Sequence, residues 1–443
     1  MKFSRADSLF TSEIKQNQAK SNEIKEEITL KKVCVIGGGA SGLMAACIAA
    51  ENGNEVVLVE KNEKPGKKIY ITGKGRCNLT NDIPPAEFLQ KIVHGGKFLY
   101  GAAYSFSPQD CMQFFSSRGL ALKTERGGRV FPLSDHASDV TKTLEKACKN
   151  AGVNVLLNET AEELIAENEE TEKGTVPRIV AVKTDKREIA CDTAIVCTGG
   201  VSYPSTGSTG DGYKFAEKFG LKLVPPRPAL CGVNLKGDFY KETQGLSLKN
   251  VSLSAFSGGK KIYEAFGEML FTHFGISGPI VLSLSSLINR IDVKQVRLYL
   301  DFKPALDEKT LENRLLRLFD EQKNKTLQNA AGDLLPQKTI GAVLRQAKIS
   351  PDKRCNSVTK EERARFLKAL KAFEMQPVSL RDFAEAIVTS GGVDLSEINP
   401  KTMDVKRVKG LKMCGETLDL DAFTGGYNLQ IAFSTGFLAG KSV

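Results

Sequence analysis

The chain of 443 residues is poor in the side chains that build metal and redox centres. It has no tryptophan and only three histidines, and no two of its ten cysteines form a Cys-x-x-Cys pair. This scarcity argues against a zinc site, an iron–sulfur site or a redox-active disulfide, so we expect no metal. Scattered, unpaired thiols are typical of a reducing compartment, and we therefore expect a cytoplasmic protein.

Long apolar runs are also absent. The longest candidate, residues 276–288, is interrupted by Gly278, Pro279 and several serines. It therefore falls short of the ~18 residues that a membrane span needs, and we expect no membrane partner. Residues 1–30 are polar and charged and lack the apolar core of a secretory signal. We interpret them as a polar mobile extension.

Positive charge is concentrated in one part of the chain. The net charge is +10, and residues 304–372 contain 15 Lys and Arg against 9 Asp and Glu, which gives this segment +6. A basic surface of this kind can attract a polyanion such as RNA. Lysine-rich helix exteriors are also common for solubility, and charge alone favours that simpler interpretation.

Strands and helices alternate from residue 30 to about residue 200, which predicts a parallel α/β sheet. The predicted strands are residues 32–36, 55–59, 153–157, 179–184 and 194–197, and the predicted helices are residues 41–52 and 138–150. Short runs separated by Gly, Ser and Asn predict an antiparallel sheet between residues 227 and 302. Helical periodicity follows in residues 304–372, and a last helix is expected at residues 428–438.

The predicted fold class is therefore α/β, with a Rossmann-like dinucleotide-binding domain interrupted by a β-rich insert and a small helical subdomain. We assign residues 31–205 and 383–443 to the dinucleotide-binding domain, residues 206–303 and 373–382 to the β-rich insert, and residues 304–372 to the basic helical subdomain. Both ends of the chain contribute to the first domain. Its site must therefore be assembled from segments that are distant in sequence.

A strand–turn–helix at the start of this domain carries a dinucleotide-binding pattern. Residues 33–36 lead into GGGASG, which matches GxGxxG at Gly37, Gly39 and Gly42. The first glycine permits the tight turn, the second lets the backbone approach a pyrophosphate, and the third allows close helix–strand packing. Phosphates would lie at the helix N-terminus, where free N–H groups and the helix dipole favour an anion.

Glu60, at the end of the second predicted strand, completes the pattern. It lies about 20 residues after the glycines, where a carboxylate usually binds the ribose hydroxyls. An acidic residue there disfavours a 2′-phosphate, so the sequence predicts FAD or NAD rather than NADP. A glycine-rich turn without a ligand is the alternative, and the combination of strand, turn, helix and carboxylate argues against it.

Segments that a simple NAD site does not need favour FAD. Residues 61–68 and the sequence TGKGRCN at 72–78 form a second loop, whose closely spaced glycines let the backbone approach a long cofactor. TGG at 198–200 ends a short predicted strand, and GGYN at 425–428 opens the last helix. The N-terminus of that helix could face the flavin pyrimidine and stabilise negative charge on the reduced ring.

On these motifs the chain resembles the BaiN/RdsA (YhiN-type) flavoproteins, within the wider two-dinucleotide-binding-domain flavoproteins. The matching stretches are residues 66–81, 127–132, 198–213, 271–279, 389–400 and 415–440, and the resemblance covers residues 31–443. It implies FAD held by the first domain and the C-terminal segment, with a β-rich and a helical insert between them. The predicted FAD-binding residues are Gly37, Gly39, Ala40, Ser41, Gly42, Glu60, Lys61, Gly66, Lys67, Gly73, Arg76, Asn78, Ala161, Thr198, Gly199, Gly200, Gly415, Glu416, Gly426, Tyr427 and Asn428.

The sequence has no second GxGxxG that follows a strand. The glycines of TGSTGDG at 206–212 come after Pro204 rather than after a predicted strand. We therefore predict no dedicated NAD(P)H domain. NAD(P)H, as the reductant, would dock transiently against the flavin.

Three side chains are candidates for the proton transfer that accompanies reduction of a conjugated C=C bond, in which hydride goes to the β carbon and an acid protonates the α carbon. Cys77 lies in the GRCN turn, where a thiol with a pKa near ~8.5 could donate and Arg76 would tune it. His273 lies in a loop punctuated by Gly and Pro, and Tyr203 follows the TGG turn and could donate to a carbonyl. A GRCN turn that only binds cofactor and a structural histidine are the alternatives.

The resemblance leaves the substrate open. Some members of the family form dihydrouridine in large-subunit ribosomal RNA by reducing the uracil C5=C6 bond, others reduce enones in bile-acid intermediates, and some carry an aminoacetone oxidase label. The basic segment 304–372 favours RNA, because a small-molecule reductase gains nothing from phosphate contacts. Its only aromatic residues are Phe319 and Phe366, so contact with RNA would be mainly electrostatic. A small-molecule substrate remains the alternative, a non-catalytic FAD sensor has no positive feature, and no stable partner is implied.

Overall fold

The computed structural model describes residues 30–172 and 174–443. The predicted mobile extension lies outside the described residues, apart from Leu30. The predicted α/β class is confirmed, since one parallel sheet is combined with several antiparallel sheets and with helices. Within the described ranges, no helix combines the length and the apolar character that a membrane crossing needs.

A five-stranded parallel sheet forms the centre of the nucleotide-binding part. Its strands, in spatial order, are Leu411–Met413, Thr193–Val196, Lys32–Ile36, Glu55–Glu60 and Asn154–Leu157. All neighbouring pairs are parallel. The central strands consist almost entirely of buried apolar residues, as is typical of a parallel sheet covered on both faces. Four of the five strands agree with the sequence prediction, and Leu411–Met413 was not predicted.

Residues 179–184 do not join this sheet, so their predicted place was wrong. They end the strand Gly174–Thr184, which pairs antiparallel with Ala161–Thr171 and with Glu188–Ala190. Ile179, Ala181 and Val182 are buried, which explains why the run resembles a core strand in sequence. Periodicity identifies such a strand but not its neighbours.

The last helix, Tyr427–Lys441, brings the C-terminal end of the chain against the first described helix. It packs along the helix Ala40–Glu51 through two glycines. A Cβ on Gly436 would lie 2.4 Å from the carbonyl oxygen of Ser41, and one on Gly440 would lie 2.4 Å from that of Ala45. Only glycine allows the two backbones to approach this closely. The predicted helix at 428–438 is confirmed and is slightly longer at both ends.

Shorter elements surround the parallel sheet. Its helices, besides Ala40–Glu51 and Tyr427–Lys441, are Lys67–Ile71, Pro85–Leu89, Tyr100–Ser105, Pro108–Ser117, Ala137–Asn150 and Asp211–Lys218. The short antiparallel sheets are Thr80–Asn81 with Arg129–Pro132 and Leu122–Glu125, Ile92–His94 with Asp421–Ala422, and Leu223–Ala229 with Val388–Val393. The last two pairs lie where the nucleotide-binding part meets the insert.

The insert is built around a seven-stranded antiparallel sheet. Its strands, in spatial order, are Phe373–Met375, Val296–Asp301, Ser247–Ser257, Lys260–Phe271, Gly275–Ser277, Val233–Leu235 and Pro377–Leu380. Its helices are Phe239–Thr243, Pro279–Ile288, Glu308–Glu321, Leu327–Ala330, Gln337–Ala347 and Lys360–Lys371. One buried cluster joins Leu253 and Leu298 of the sheet to Leu311 and Phe366 of the helices. The β-rich and helical segments therefore share a core, and a boundary between them at residue 304 remains our proposal.

Candidate active site

A cavity of about 1260 Å³, including its open mouth, lies at the carboxyl ends of the parallel strands. This edge is where ligands bind in open α/β sheets. Its lining comes from distant parts of the chain: residues 36–41 and 59–72, residues 159–161, residues 197–215, residues 387–388, and residues 416–432. Residues 159–161 line it beside Glu60, whose carbonyl oxygen accepts a hydrogen bond from the backbone N–H of Glu159. The cavity therefore extends from Glu60 to the last helix.

The three glycines of the first turn have different surroundings. Gly37 has a φ of +100°, and a Cβ there would lie 2.6 Å from the carbonyl oxygen of Cys197. A Cβ on Gly42 would lie 1.8 Å from the carbonyl oxygen of Gly37, so both positions are closed by packing. A Cβ on Gly39 would have no atom within 4 Å. Gly39 lines the cavity and precedes the first residue of a twelve-residue helix. The open space therefore lies where a pyrophosphate would approach the free N–H groups.

Glu60 lines the cavity and is 7% exposed. Its Oε2 accepts a hydrogen bond of 2.7 Å from the backbone N–H of Gly38, and its Oε1 accepts two from Asn62, at 2.8 Å from the backbone and 2.6 Å from the side-chain amide. A carboxylate offers about four acceptor sites, so these bonds fix its orientation and leave capacity for a ribose hydroxyl. Sequence reasoning identified Glu60 but missed Asn62, which positions it.

Lys68 and Glu416 connect the two ends of the chain at the cavity wall. Lys68 Nζ lies 2.8 and 2.9 Å from the two carboxylate oxygens of Glu416. Glu416 Oε1 also accepts hydrogen bonds from Ser202 Oγ at 2.7 Å and from the backbone N–H of Thr389 at 2.8 Å. The network fixes four segments around the same space. Lys68 was not predicted, although it follows Lys67 within a matched motif.

Most of the predicted FAD-binding residues line this cavity. Those in its lining are Gly37, Gly39, Ala40, Ser41, Glu60, Lys61, Gly66, Lys67, Ala161, Thr198, Gly199, Glu416 and Asn428. Those outside its lining are Gly42, Gly73, Arg76, Asn78, Gly200, Gly415, Gly426 and Tyr427. Two glycines of the second group pack closely against residues at or next to the cavity lining. A Cβ on Gly415 would lie 2.5 Å from Ser41 Oγ, and one on Gly200 would lie 2.4 Å from Thr389 Oγ1.

Arg76 has a structural set of partners. Its guanidinium pairs with Glu125 and with Asp135, and it lies 4.2 Å from the ring centroid of Phe131. These contacts tie the turn at Arg76 to the neighbouring antiparallel strands and leave its charge compensated. The neighbouring Asn78 has a buried Oδ1 without a hydrogen-bond partner among the described residues. Such an atom is expected to find a partner, and a cofactor edge is one chemistry that would supply it.

The residues present fit FAD. Gly39 and the free N–H groups of its helix would hold the pyrophosphate, and Glu60 would hold a ribose. Thr198 and Asn78 supply buried oxygen atoms without partners among the described residues, and Thr198 belongs to the cavity lining. The last helix begins at Tyr427, and its second residue, Asn428, also lines the cavity. When bound, FAD would supply hydride transfer at its N5 atom, and the protein would position the substrate and move the proton.

The structure does not bring Cys77 to the cavity. The residue is fully buried in the hydrophobic core, and burial raises the pKa of its thiol to about 12. A thiol that is buried and so weakly acidic is poorly suited to protonate a substrate. The sequence neighbourhood of Cys77 could not reveal this burial, and we no longer favour it as the acid.

His273 and Tyr203 are brought to the same region by the segment 381–387. The backbone N–H of Tyr203 donates a hydrogen bond to the carbonyl oxygen of Phe383. The exposed His273 lies near Glu385, whose pKa is lowered mainly by its hydrogen bond with Arg381 and further by the charge of His273. Residues 387 and 388 at the end of this segment line the cavity. Neither His273 nor Tyr203 is among the residues that line the cavity, and their catalytic roles stay predictions.

A long cavity that ends at a second helix N-terminus suits a two-part dinucleotide cofactor and places the chain among the Rossmann-type flavoproteins. The HI0933-like protein Rossmann domain family matches residues 31–442, and the chain belongs to this family. The predicted resemblance is thereby confirmed, and the protein is an FAD-dependent oxidoreductase.

The chain is similar to two kinds of curated protein over nearly its whole length. It is 31% identical to the 3-dehydro-bile acid delta(4,6)-reductase of Clostridium scindens, over 93% of this chain and 99% of that protein. It is 29% identical to the ribosomal RNA dihydrouridine synthase of Escherichia coli, over 92% and 97%. The structure also resembles a solved 3-ketosteroid-delta4-(5alpha)-dehydrogenase from Rhodococcus jostii RHA1. The alignment spans 95% of this chain and 98% of the dehydrogenase, with 14% identity and a TM-score of 0.50, so the similarity is one of fold.

Proposed function

We propose that the protein uses FAD and NAD(P)H to reduce a conjugated C=C bond, and that its substrate is a uracil base of large-subunit ribosomal RNA, which becomes dihydrouridine. The relatives do not decide between RNA and a steroid, because 31% and 29% identity are equivalent. The positive charge of the helical segment 304–372 is the observation that favours an RNA substrate over a steroid. A ribosomal substrate would also place the protein in the cytoplasm.

The basic side chains of residues 304–372 are mostly free of acidic partners. Four of the 15 pair with a carboxylate within the described residues: Arg345, Lys353, Arg363 and Lys371. The other 11 have no carboxylate within 4.0 Å in the described ranges and are exposed: Lys309, Arg314, Arg317, Lys323, Lys325, Lys338, Lys348, Arg354, Lys360, Arg365 and Lys368. Unpaired exposed cations of this number are suited to phosphate contacts.

Three of these cations are held close together by the backbone. The backbone N–H of Asn356 donates to the carbonyl oxygen of Lys323, and Thr326, next to Lys325, forms a bridge with Arg354. Phe319 and Phe366 are both buried, so they cannot stack on bases. The proposed contact with RNA is therefore electrostatic, and selection of the base would belong to the cavity after the uracil has left its stack.

In this reaction the side chains of the protein would shape the cavity, orient the substrate and donate a proton. Lys68 and Glu416 hold the cavity wall, and Tyr203 is the candidate donor to a substrate carbonyl. His273 is the candidate acid that the sequence proposed. NAD(P)H would reach the flavin from solvent, because the described residues form no second nucleotide-binding parallel sheet. Which nucleotide serves as reductant can be measured directly with NADH and NADPH.

The substrate proposal is tested by mapping modified bases. Deletion of the gene should remove dihydrouridine from large-subunit ribosomal RNA, as measured by mass spectrometry of nuclease fragments, and the purified holoenzyme with NAD(P)H should restore it. An unchanged dihydrouridine content after deletion would contradict the RNA proposal. The first alternative would then be a small-molecule enone reductase, because of the 31% identical bile-acid reductase. The second alternative would be an amine oxidase, and the third would be a flavin-binding sensor that has no catalytic activity.

The double variant Lys323→Glu/Lys325→Glu tests the role of the basic segment. Its activity on ribosomal RNA should fall and its dependence on salt should weaken, because each phosphate contact contributes roughly 0.7–0.9 to the slope of log K against log salt. The matched control is Lys146→Glu/Lys149→Glu, which makes the same charge change on two exposed lysines of the helix Ala137–Asn150. Equal losses in the two variants, or none in either, would argue against a dedicated RNA surface.

A further inference from the structure

A polar cluster with a buried centre, separate from the predicted site residues, joins the nucleotide-binding part to the insert. Its members are His94, Asp421, Ser390, Arg290 and Asp419. Arg290 follows the insert helix Pro279–Ile288 and pairs with Asp419, while donating a hydrogen bond of 3.0 Å to Ser390 Oγ. The charges of Arg290 and Asp419 therefore compensate each other. His94 and Asp421 are left as a second pair.

The pair of His94 and Asp421 has the geometry of an orienting dyad. His94 Nδ1 lies 2.5 Å from Asp421 Oδ1, and Ser390 Oγ is more distant from the same nitrogen, at 3.4 Å. Asp421 is fully buried and His94 is 24% exposed. The two residues are also direct partners in the antiparallel pairing of Ile92–His94 with Asp421–Ala422. Both the backbone and the side chains therefore fix their relative position.

Two observations indicate that the dyad serves a ligand. Asp421 Oδ2 is buried and has no hydrogen-bond partner among the described residues, which is a costly arrangement if nothing else contacts it. His94 Nε2 likewise has no partner in the described ranges, although the ring reaches the surface. A carboxylate that holds Nδ1–H leaves Nε2 as the atom that gains or loses a proton.

The dyad lies beside the cavity on the insert side. Asp421 directly follows Leu420, which lines the cavity, and Ser390 follows Val388, which also lines it. Asn428, a third lining residue, binds the backbone N–H of Ala422 at 3.0 Å and its carbonyl oxygen at 2.9 Å. Three lining segments thus hold the dyad in place. His94 itself is not among the residues that line the cavity; its contact with Asp421, the neighbour of Leu420, places it next to that lining.

We propose that His94, oriented by Asp421, is the proton donor for the substrate, a role that rests on the proposed reduction of a C=C bond. FAD, when bound and reduced by NAD(P)H, would supply the hydride, with both electrons, for the substrate's β carbon. The Nε2–H proton of imidazolium His94 forms the new C–H bond at the α carbon. The electron pair of the broken N–H bond stays on Nε2, and solvent returns the proton. Asp421 is a positioning residue that keeps the other proton on Nδ1.

The activity test uses FAD-loaded holoenzyme, NADPH or NADH, and two probes: large-subunit ribosomal RNA without dihydrouridine, and 2-cyclohexenone. His94→Gln should lower product formation on the order of 100-fold, the usual contribution of a positioned acid, while flavin content and flavin reduction by NAD(P)H stay within about 3-fold. His136→Gln is the matched control, because His136 is an exposed histidine outside the cavity; the variant should leave product formation, flavin content and flavin reduction unchanged. Imidazole in the buffer should partly restore turnover to His94→Ala.

Asp421→Asn separates orientation from packing. Its amide can donate to Nδ1, which would hold neutral His94 with the proton on Nε2, so the shape is kept while the acid function is lost. Nitrogen-15 NMR of His94, which needs no turnover, should find the neutral ring protonated on Nδ1 in the native holoenzyme and on Nε2 in the variant. A native ring protonated on Nε2 would overturn the dyad.

The outcomes separate this proposal from the proposed function. A wild-type holoenzyme that forms product while His94→Gln is equally fast overturns the role of His94 alone. The same holds if His273→Gln causes the large loss and His94→Gln does not. A wild-type holoenzyme that reduces neither probe overturns the proposed reduction of a C=C bond and the role of His94 with it.

Discussion

A Gly39→Val variant is expected to fold and to purify without flavin. The position has a negative φ of −79° and no atom within 4 Å of an added Cβ, so the protein itself does not clash with the new side chain. The valine would instead occupy the space where the pyrophosphate meets the helix N-terminus. FAD affinity should fall on the order of 100-fold or more, which corresponds to about 2.7 kcal/mol. Flavin absorbance of the purified protein and FAD titration of the apoprotein measure the loss.

Gly332→Val is the control for this variant. Gly332 is exposed in the insert, and its added Cβ would contact only Gln337 Oε1, at 3.7 Å. This variant should bind FAD as the wild type does. The unfolding temperature of the Gly39→Val apoprotein should remain near that of wild-type apoprotein, because the change at the helix N-cap costs about 1 kcal/mol. A yellow Gly39→Val protein with wild-type affinity would show that the turn does not hold the pyrophosphate.

A Gly436→Ala variant should lose stability and flavin together. Its Cβ would lie 2.4 Å from the carbonyl oxygen of Ser41, a backbone atom that cannot rotate away. The last helix must therefore move from the helix Ala40–Glu51, and overpacking of this kind costs about 1–3 kcal/mol. Because Ser41 lines the cavity, the displacement should also weaken FAD binding. Thermal unfolding of apoprotein and holoprotein measures the two effects separately.

The comparison of these two glycines distinguishes their roles. Gly39→Val should lower the unfolding temperature of the holoprotein far more than that of the apoprotein, since it removes the stabilisation that a ligand provides. Gly436→Ala should lower both. An apoprotein of Gly436→Ala as stable as the wild type would contradict the close helix contact.

The sequence was sufficient where the signal is local. The turn at Gly37, the carboxylate at Glu60 and the helix that follows lie within one short stretch, and each requires a particular residue type for a steric or electrostatic reason. The strands 32–36 and 55–59 were equally accessible, because buried parallel strands are continuous apolar runs. These elements carry most of the cofactor prediction.

Long-range pairing was not accessible in the same way. The strand Leu411–Met413 joins Thr193–Val196 from more than two hundred residues away, and its short sequence LKM carries no periodicity to identify it. The contact between His94 and Asp421 spans 327 residues. Asp421 lies in the matched stretch 415–440, but nothing in that stretch points to His94, so only the folded chain brings the two together.

Burial explains the weakest of the catalytic predictions. Cys77 stands beside Arg76 in sequence, which indicated a tuned thiol. In the structure Arg76 is engaged by Glu125 and Asp135, and Cys77 faces the hydrophobic core. The same short turn thus holds two side chains with opposite environments. Sequence neighbours within a turn do not share a surface, and no pattern in the GRCN motif shows which one is buried.

The most direct test of the account is the identity of the bound cofactor. The protein, purified without added nucleotide and then denatured, should release a yellow compound that absorption and mass spectrometry identify as FAD, close to one per chain. Gly39→Val, prepared in parallel, should release little or none. A colourless wild-type protein that releases no FAD, and that binds none when FAD is added, would contradict the central claim.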